Sequence, residues 1–78
     1  MDQKVNVLFF GLAAEIAQTN KLSIHAANTD ELKKVIEDTY PTFQQLTYAV
    51  AVNHTIIHQN KSLTATDEVA ILPPYSGG

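Results

Sequence analysis

The pattern that most constrains how this chain can fold is a single amphipathic helix set between two groups of strands. Between residues 28 and 40, apolar side chains recur at helical spacing and form one face: Leu32, Val35, Ile36 and Tyr40. Pro41 ends this helix, because the residue before a proline avoids α-helical backbone angles. A lone helix among strands must cover one face of a sheet to bury its apolar side, so the sequence predicts an α+β domain.

The start of this helix has a capping pattern. The side chain of Asn28 or Thr29 can accept a hydrogen bond from the free N–H groups of the first turn, and Asp30 and Glu31 favour the positive end of the helix dipole. Asn28 and Glu31 also have the spacing of a capping box, although that motif usually begins with Ser or Thr. We therefore expect the helix to begin at residue 28 or 29.

Five segments have the composition of strands. They are rich in β-branched and aromatic residues or alternate apolar with polar side chains: 4–10, 21–26, 48–53, 55–59 and 69–72. Asn53 and His54 suit a tight turn between the third and fourth. The last segment is almost entirely apolar, so we expect it at the centre of the sheet, parallel to the first. The fold class predicted is a ubiquitin-like β-grasp: a mixed five-stranded sheet with one main helix packed on one face.

Two shorter features complete this prediction. Residues 12–20 suit a short helical turn with Leu12, Ala13 and Ile16 along one side. The loop before the last strand is expected to be anchored by Leu63.

Composition excludes several classes of function. The chain has 78 residues, enough for one domain over residues 1–78, with a net charge of −3 and five scattered lysines, which argues against nucleic-acid binding. It has no cysteine, which fits a reducing compartment. No segment approaches the ~20 apolar residues of a membrane span. We expect a cytoplasmic protein without a membrane partner.

The interior of the sequence shows no pattern of an active site. The acidic residues suit helix ends and turns, with Asp67 expected to make a turn hydrogen bond. His25, His54 and His58 are not spaced as metal ligands within the strands predicted there, so we expect no metal and no bound cofactor.

The C-terminal sequence AILPPYSGG is more informative. Val69 and Ile71 should face the helix, which sends Ala70 and Leu72 to the opposite face. Pro73 and Pro74 cannot donate to a ladder and favour an extended path, so they would project a flexible tail, residues 73–78, away from the body. The tail ends with four residues: Tyr75, Ser76, Gly77 and Gly78. Its thin Gly-Gly end can enter a narrow channel, and its reactive group would be the α-carboxylate of Gly78. The alternative is an inert, frayed terminus.

The chain resembles the small sulfur-carrier subunits of molybdopterin synthases, a ubiquitin-like family of molybdenum cofactor biosynthesis. The resemblance is carried by VLFFGLAAEI (7–16), AVAVNHTII (49–57) and LTATDEVAILPPYSGG (63–78). It implies that an activating enzyme uses ATP to adenylate Gly78, that sulfur transfer then leaves a thiocarboxylate there, and that the large synthase subunit consumes this sulfur to build the dithiolene of molybdopterin. The carrier itself would be non-catalytic.

The resemblance also implies a contact surface. The large subunit would receive the threaded residues Tyr75, Ser76 and Gly77 ahead of Gly78. Beside the tail, the partner interface is expected to comprise Leu72, Pro73, Pro74 and Phe10.

Three positions depart from the family pattern. Ala14 stands where an arginine is common, which removes a salt bridge from that position. Thr66 replaces a usual glycine, so the turn there must use another geometry or accept strain. Tyr75 is bulkier than the residue often found there, so the mouth of the partner's channel is expected to differ.

Three other functions remain open from the sequence. The chain could carry sulfur for thiamine synthesis or tRNA thiolation, although such relatives usually lack Pro73 and Pro74 before the last four residues. It could be a protein modifier joined to lysines through Gly78. It could also be a β-grasp interaction module with an inert tail.

Overall fold

A computed structural model describes residues 4–73, which form one mixed five-stranded sheet with a helix across one face. The strands are β1 (Lys4–Phe9), β2 (Lys21–His25), β3 (Ala49–Val52), β4 (Thr55–Ile56) and β5 (Glu68–Leu72). The helices are α1 (Leu12–Ala17), α2 (Thr29–Thr39) and a 3-10 helix (Pro41–Gln45). The β-grasp prediction is confirmed.

The sheet order is β2-β1-β5-β3-β4, which places the last strand at the centre as predicted. β1 and β5 run parallel, with Val7 opposite Val69 and Phe9 opposite Ile71, and the other pairs are antiparallel. A parallel pair needs a long crossover, which the chain between β1 and β5 supplies.

β4 is shorter than the predicted segment 55–59, because the chain after it turns toward the start of α2. Asn60 Oδ1 accepts hydrogen bonds from the Thr29 hydroxyl (3.2 Å) and the Asp30 N–H (2.8 Å). Thr29 and Lys61 also exchange backbone and side-chain hydrogen bonds at 2.9 Å. These contacts satisfy free donors of the first helical turn. Ile57 still donates its N–H to the Val50 carbonyl at 2.9 Å, and the chain leaves the sheet after it, over residues 58–61.

The core lies between α2 and one face of the sheet. Its large buried side chains come from every layer: Val5, Val7, Phe9, Ile24, Leu32, Ile36, Phe43, Val50, Val52, Leu63, Val69 and Ile71. The helical face predicted from the sequence is confirmed, with Leu32 and Ile36 fully buried and Val35 and Tyr40 half-buried at its edge.

An aromatic cluster closes the end of this core. Phe43 makes edge-on contacts with Tyr40 and Tyr48 and a tilted contact with Phe9. The Tyr48 hydroxyl donates a 2.6 Å hydrogen bond to Glu37. Burial first, and then this carboxylate, raise the pKa of Tyr48 above its ordinary value.

The cap of α2 differs slightly from the capping box predicted. Asn28 Oδ1 accepts from the Glu31 N–H at 2.8 Å, as expected. The Glu31 carboxylate reaches past Asn28 and accepts from the Ala27 N–H, also at 2.8 Å. Both bonds hold the chain at the point where it enters the helix.

The side of α1 predicted to carry Leu12, Ala13 and Ile16 is buried only in part. α1 is only six residues long and buries Ala13 and Ala17, with Ile16 half-buried beside them, whereas Leu12 is 45% exposed. Successive helical residues differ by about 100° in direction, so the face that carries residues 13, 16 and 17 turns residue 12 toward solvent.

A polar network joins the β3–β4 turn to the start of β5. Asn53 and His54 have φ angles of 50° and 74°, the left-handed geometry of a tight hairpin turn. Asn53 Oδ1 accepts from the Glu68 N–H, and its Nδ2 donates to Asp67 Oδ1, both at 2.9 Å. Asp67 Oδ2 accepts from the Thr64 N–H at 2.9 Å. Thr66, within this loop, has no positive φ, so its side chain causes no strain of that kind.

We predict that the Asp67 carboxylate makes stability depend on pH. The hydrogen bond from Asn53, and then that from Thr64, hold the pKa of Asp67 below its usual range. The resulting stabilisation is complete above the unfolded-state pKa of about 3.9 and is lost as pH falls through the lower folded-state value. Urea unfolding of the wild type and Asp67→Asn across the acidic range should therefore show a stability difference that shrinks as pH is lowered. Asp38→Asn is the matched control, and a difference that stays constant with pH would contradict the prediction.

Candidate functional site

The sheet face opposite α2 is uncovered and apolar at its centre. One row of side chains crosses four strands in register: Leu8, Ala70, Ala51 and Ile56. Leu72 lies further along β5 on the same face, and Phe10 follows β1. We call these six residues the apolar patch; they line a shallow groove of about 450 Å³.

The alternation of the strands produces this patch. In β5, Val69 and Ile71 are fully buried under α2, so Ala70 and Leu72 must lie on the open face, where both are half-buried. Phe10 and Ile56 are 46% and 49% exposed, large values for side chains of this size. A contiguous exposed apolar area on a small domain is typical of a protein-binding surface.

Polar side chains bound the patch at the end where β5 begins. Glu68 occupies the position before Ala70 on the open face, and His54 Nε2 lies 3.3 Å from its carboxylate. In the neighbouring strands, Asn6 and Ser23 are paired in register beside Glu68. The apolar area is therefore confined to the half of the sheet where β5 ends.

The structure brings three of the predicted interface residues to that end. Leu72 is half-buried on the patch, Phe10 is exposed beside it, and Pro73 follows directly. The Phe10 N–H donates to the Ile71 carbonyl at 3.2 Å, which ties the loop after β1 to the end of β5. The remaining predicted residues lie outside the described part of the chain: Pro74, Tyr75, Ser76, Gly77 and Gly78.

Sequence reasoning missed three members of the patch. Leu8 could have been predicted from the alternation in β1, because Val7 and Phe9 on either side of it point into the core. Ala51 and Ile56 required the register of the β3–β4 hairpin, which the sequence does not specify residue by residue.

The main surface feature of the described residues is the exposed apolar patch. Within residues 4–73, no three His, Cys, Asp or Glu side chains are close enough together to hold a metal ion. His25, His54 and His58 are all exposed: His25 ends β2, His54 lies in the turn between β3 and β4, and His58 lies in the loop after β4. No helix in the same range is long and apolar enough to cross a membrane.

The chain is similar to proteins of molybdopterin synthesis along its whole length. It is 30% identical over 82 residues to the molybdopterin synthase sulfur carrier subunit of Chlamydomonas reinhardtii, an alignment that covers 96% of this chain and 99% of the relative. A solved complex of subunits 1 and 2 of the molybdopterin-converting factor from Helicobacter pylori contains a chain that is 29% identical, with a TM-score of 0.74, over 97% of this chain and 100% of that one.

A more distant solved structure shares the fold. The small archaeal modifier protein 1 of Methanosarcina acetivorans has a TM-score of 0.85 at 22% identity, over 100% of this chain and 99% of that one. The match to the ThiS family covers residues 7–78. Together with the five-stranded sheet and its single main helix, this match shows that the chain belongs to the ThiS family of ubiquitin-like β-grasp proteins.

Proposed function

We propose that the protein is the sulfur-carrier subunit of a molybdopterin synthase. The observation that carries this proposal is the end-to-end similarity to a molybdopterin synthase sulfur carrier subunit, which covers 96% of this chain. The family match also extends to residue 78 and so includes the Gly-Gly sequence. The apolar patch beside the end of β5 adds a surface suited to a protein partner.

In the proposed chemistry, Gly78 carries the reacting group. Its carboxylate is a poor electrophile, so one carboxylate oxygen attacks the α-phosphate of ATP on an activating enzyme and pyrophosphate leaves. A persulfide of a sulfur donor then attacks the acyl carbon and AMP departs. Reduction of the S–S bond by a thiol leaves a thiocarboxylate on Gly78. Because this activation consumes ATP, we place the protein in the cytoplasm.

The second half of the cycle takes place on the large synthase subunit. Its active site would receive Tyr75, Ser76, Gly77 and Gly78. The thiocarboxylate sulfur would bond to a carbon of the pterin precursor as an oxygen substituent leaves that carbon. Water then cleaves the acyl–sulfur bond, which leaves sulfur on the precursor and restores the Gly78 carboxylate. The catalytic acids and bases belong to the partner, so the carrier acts as a reagent and binds no cofactor of its own.

We further propose that the apolar patch is where the large subunit docks, together with Pro73 and Pro74. Leu72 and Phe10 lie next to the point where the chain leaves the sheet, and Ile56 presents its side chain on the same face. A partner seated there buries exposed apolar area while its active site remains within reach of a short tail. Support comes from the 29% identical Helicobacter pylori chain, whose structure is a complex of subunits 1 and 2 of the molybdopterin-converting factor.

The carrier chemistry is tested by intact mass. After incubation with activating enzyme, ATP, a persulfide donor and a reducing thiol, the chain should gain the mass difference of one oxygen exchanged for one sulfur. A variant that lacks residues 77 and 78 is the control and should stay unchanged. If the wild type gains no mass, or the truncated chain supports molybdopterin synthesis as well as the wild type, the carrier mechanism is wrong.

The docking surface is tested by introducing charge into the patch. Leu72→Asp and Ile56→Asp should each weaken binding to the purified large subunit about 30-fold or more, since an apolar anchor at an interface contributes ~2 kcal/mol or more. Ser23→Asp is the matched control, because Ser23 lies on the same sheet face outside the patch. Calorimetric binding and thermal unfolding together decide the outcome. A folded Ile56→Asp variant that binds as tightly as the control would exclude the patch, and Leu72→Asp that unfolds would reassign Leu72 to the core.

The main alternative is a protein modifier attached through Gly78 to lysine side chains. The likeness to small archaeal modifier protein 1, at 22% identity, is one of fold. As a carrier, the protein should remain unconjugated in cell extract, as shown by immunoblotting of the wild type beside the variant without residues 77 and 78. A ladder of larger species that depends on these glycines would favour the modifier function.

A further inference from the structure

The loop between β1 and α1 contacts the residue at which the chain leaves the sheet. Gly11, in this loop, has φ 53° and ψ −129°, a backbone geometry that residues with a side chain rarely adopt. A Cβ atom placed on Gly11 would lie 3.2 Å from Cγ of Pro73 and 3.9 Å from its Cδ. The ring of Pro73 therefore occupies space that opens because residue 11 has no side chain.

Both sides of this contact are held in place. On one side, the Gly11 carbonyl accepts from the Ala14 N–H at 3.0 Å and the Glu15 N–H at 3.3 Å, which fixes the loop to α1. On the other, the Phe10 N–H donates to the Ile71 carbonyl, two residues before Pro73. Gly11 and Ile71 are thus each fixed by backbone hydrogen bonds, and Pro73 follows Ile71 by two residues.

We propose that Gly11 is a positioning residue for the C-terminal segment. Its bare Cα lets the Pro73 ring lie against the β1–α1 loop, and this contact sets the direction in which the chain leaves the sheet. The contact is independent of the proposed function, and only its consequence for sulfur transfer rests on that function.

Because the proline ring is rigid, the contact between Pro73 and Gly11 can change the direction of the residues that follow. The ring fixes φ of Pro73 near −65°, so displacement of the ring cannot be absorbed by rotation about that bond and passes into the following residue. Five residues beyond position 73 can reach about 17 Å at most, so a rotation of about 10° at their base moves the far end by up to about 3 Å. A displacement of about 1 Å at a reacting group can reduce a catalysed rate ~100-fold.

The direction of the tail can be measured without any partner. Because the chain has no cysteine, Ser76→Cys provides a single attachment point for a nitroxide label. Paramagnetic broadening of the amide resonances of residues 4–73 then reports which part of the sheet the label approaches. The comparison uses Gly11→Ala, Pro73→Ala and the double variant, each in the labelled chain. Pro73→Ala removes Cγ and Cδ, the two ring atoms nearest Gly11.

Gly11→Ala should change the broadening pattern when Pro73 is present and leave it unchanged in the Pro73→Ala background, because the methyl group then has no ring to displace. An unchanged pattern in Gly11→Ala would overturn the proposal, as would an equal change in both backgrounds, which would assign the effect to the backbone angles of residue 11. If Gly11→Ala fails to fold, Pro73→Ala alone must change the pattern, and an unchanged pattern again overturns the proposal.

The effect of Gly11→Ala on sulfur transfer is measured in a separate experiment. With the thiocarboxylated chain and the large subunit, Gly11→Ala should lower the single-turnover rate of sulfur transfer about 10-fold or more. Its affinity for that subunit should fall by a smaller factor than this rate, because the apolar patch is intact and only Pro73 of the proposed docking surface is displaced. A reoriented tail with an unchanged transfer rate would refute the positioning role. A wild-type chain that never acquires sulfur would refute the proposed function and leave the broadening result standing.

Discussion

The parallel pairing of β1 with β5 is the constraint on which the rest of this structure depends. It joins the two ends of the described chain at the centre of the sheet, so the last strand has neighbours on both sides. On the helix side, the pairing stacks Val7 beside Val69 and Phe9 beside Ile71, all buried. On the open side, the same register places Leu8 beside Ala70 and begins the apolar patch. A shift of one residue would exchange these two sets and expose the core residues.

Much of this fold could be predicted from the sequence because local and global signals agree. The spacing of Leu32 and Ile36 identifies the helical face, and Pro41 marks its end. The apolar composition of β5 favours a position with a neighbouring strand on each edge, which is its central place in the sheet. The prediction failed where burial depends on how an element is rotated in the folded protein. Whether Leu12 faces the core depends on how a six-residue helix is rotated, and its sequence is too short to specify that rotation.

The candidate site likewise contains some residues that the sequence could assign and others that it could not. Leu72 and Phe10 could be assigned to one surface because strand alternation and proximity in the sheet are sequence-level arguments. Ile56 could not, because its place depends on the two-residue turn at Asn53 and His54, which fixes the hairpin register. The contact between Gly11 and Pro73 could not be predicted from the sequence either. The two residues lie near opposite ends of the chain and approach each other because of the backbone geometry, and no local sequence pattern indicates this approach.

The two ends of β5 are held by different chemistry, and this difference fits the proposed role of the strand as the base of a delivered tail. At its start, Asn53 bonds both Asp67 and Glu68 through charge-assisted and backbone hydrogen bonds, which are strong and directional. At its end, the Ile71 carbonyl accepts from the Phe10 N–H, and beyond it the contact of Pro73 with Gly11 is steric. Steric contact limits direction without bonding to the chain. On the proposed function, a tail delivered to another protein's active site would need a firmly held base and an exit that is directed without being bonded. The arrangement of Asn53 at one end and Gly11 at the other supplies both.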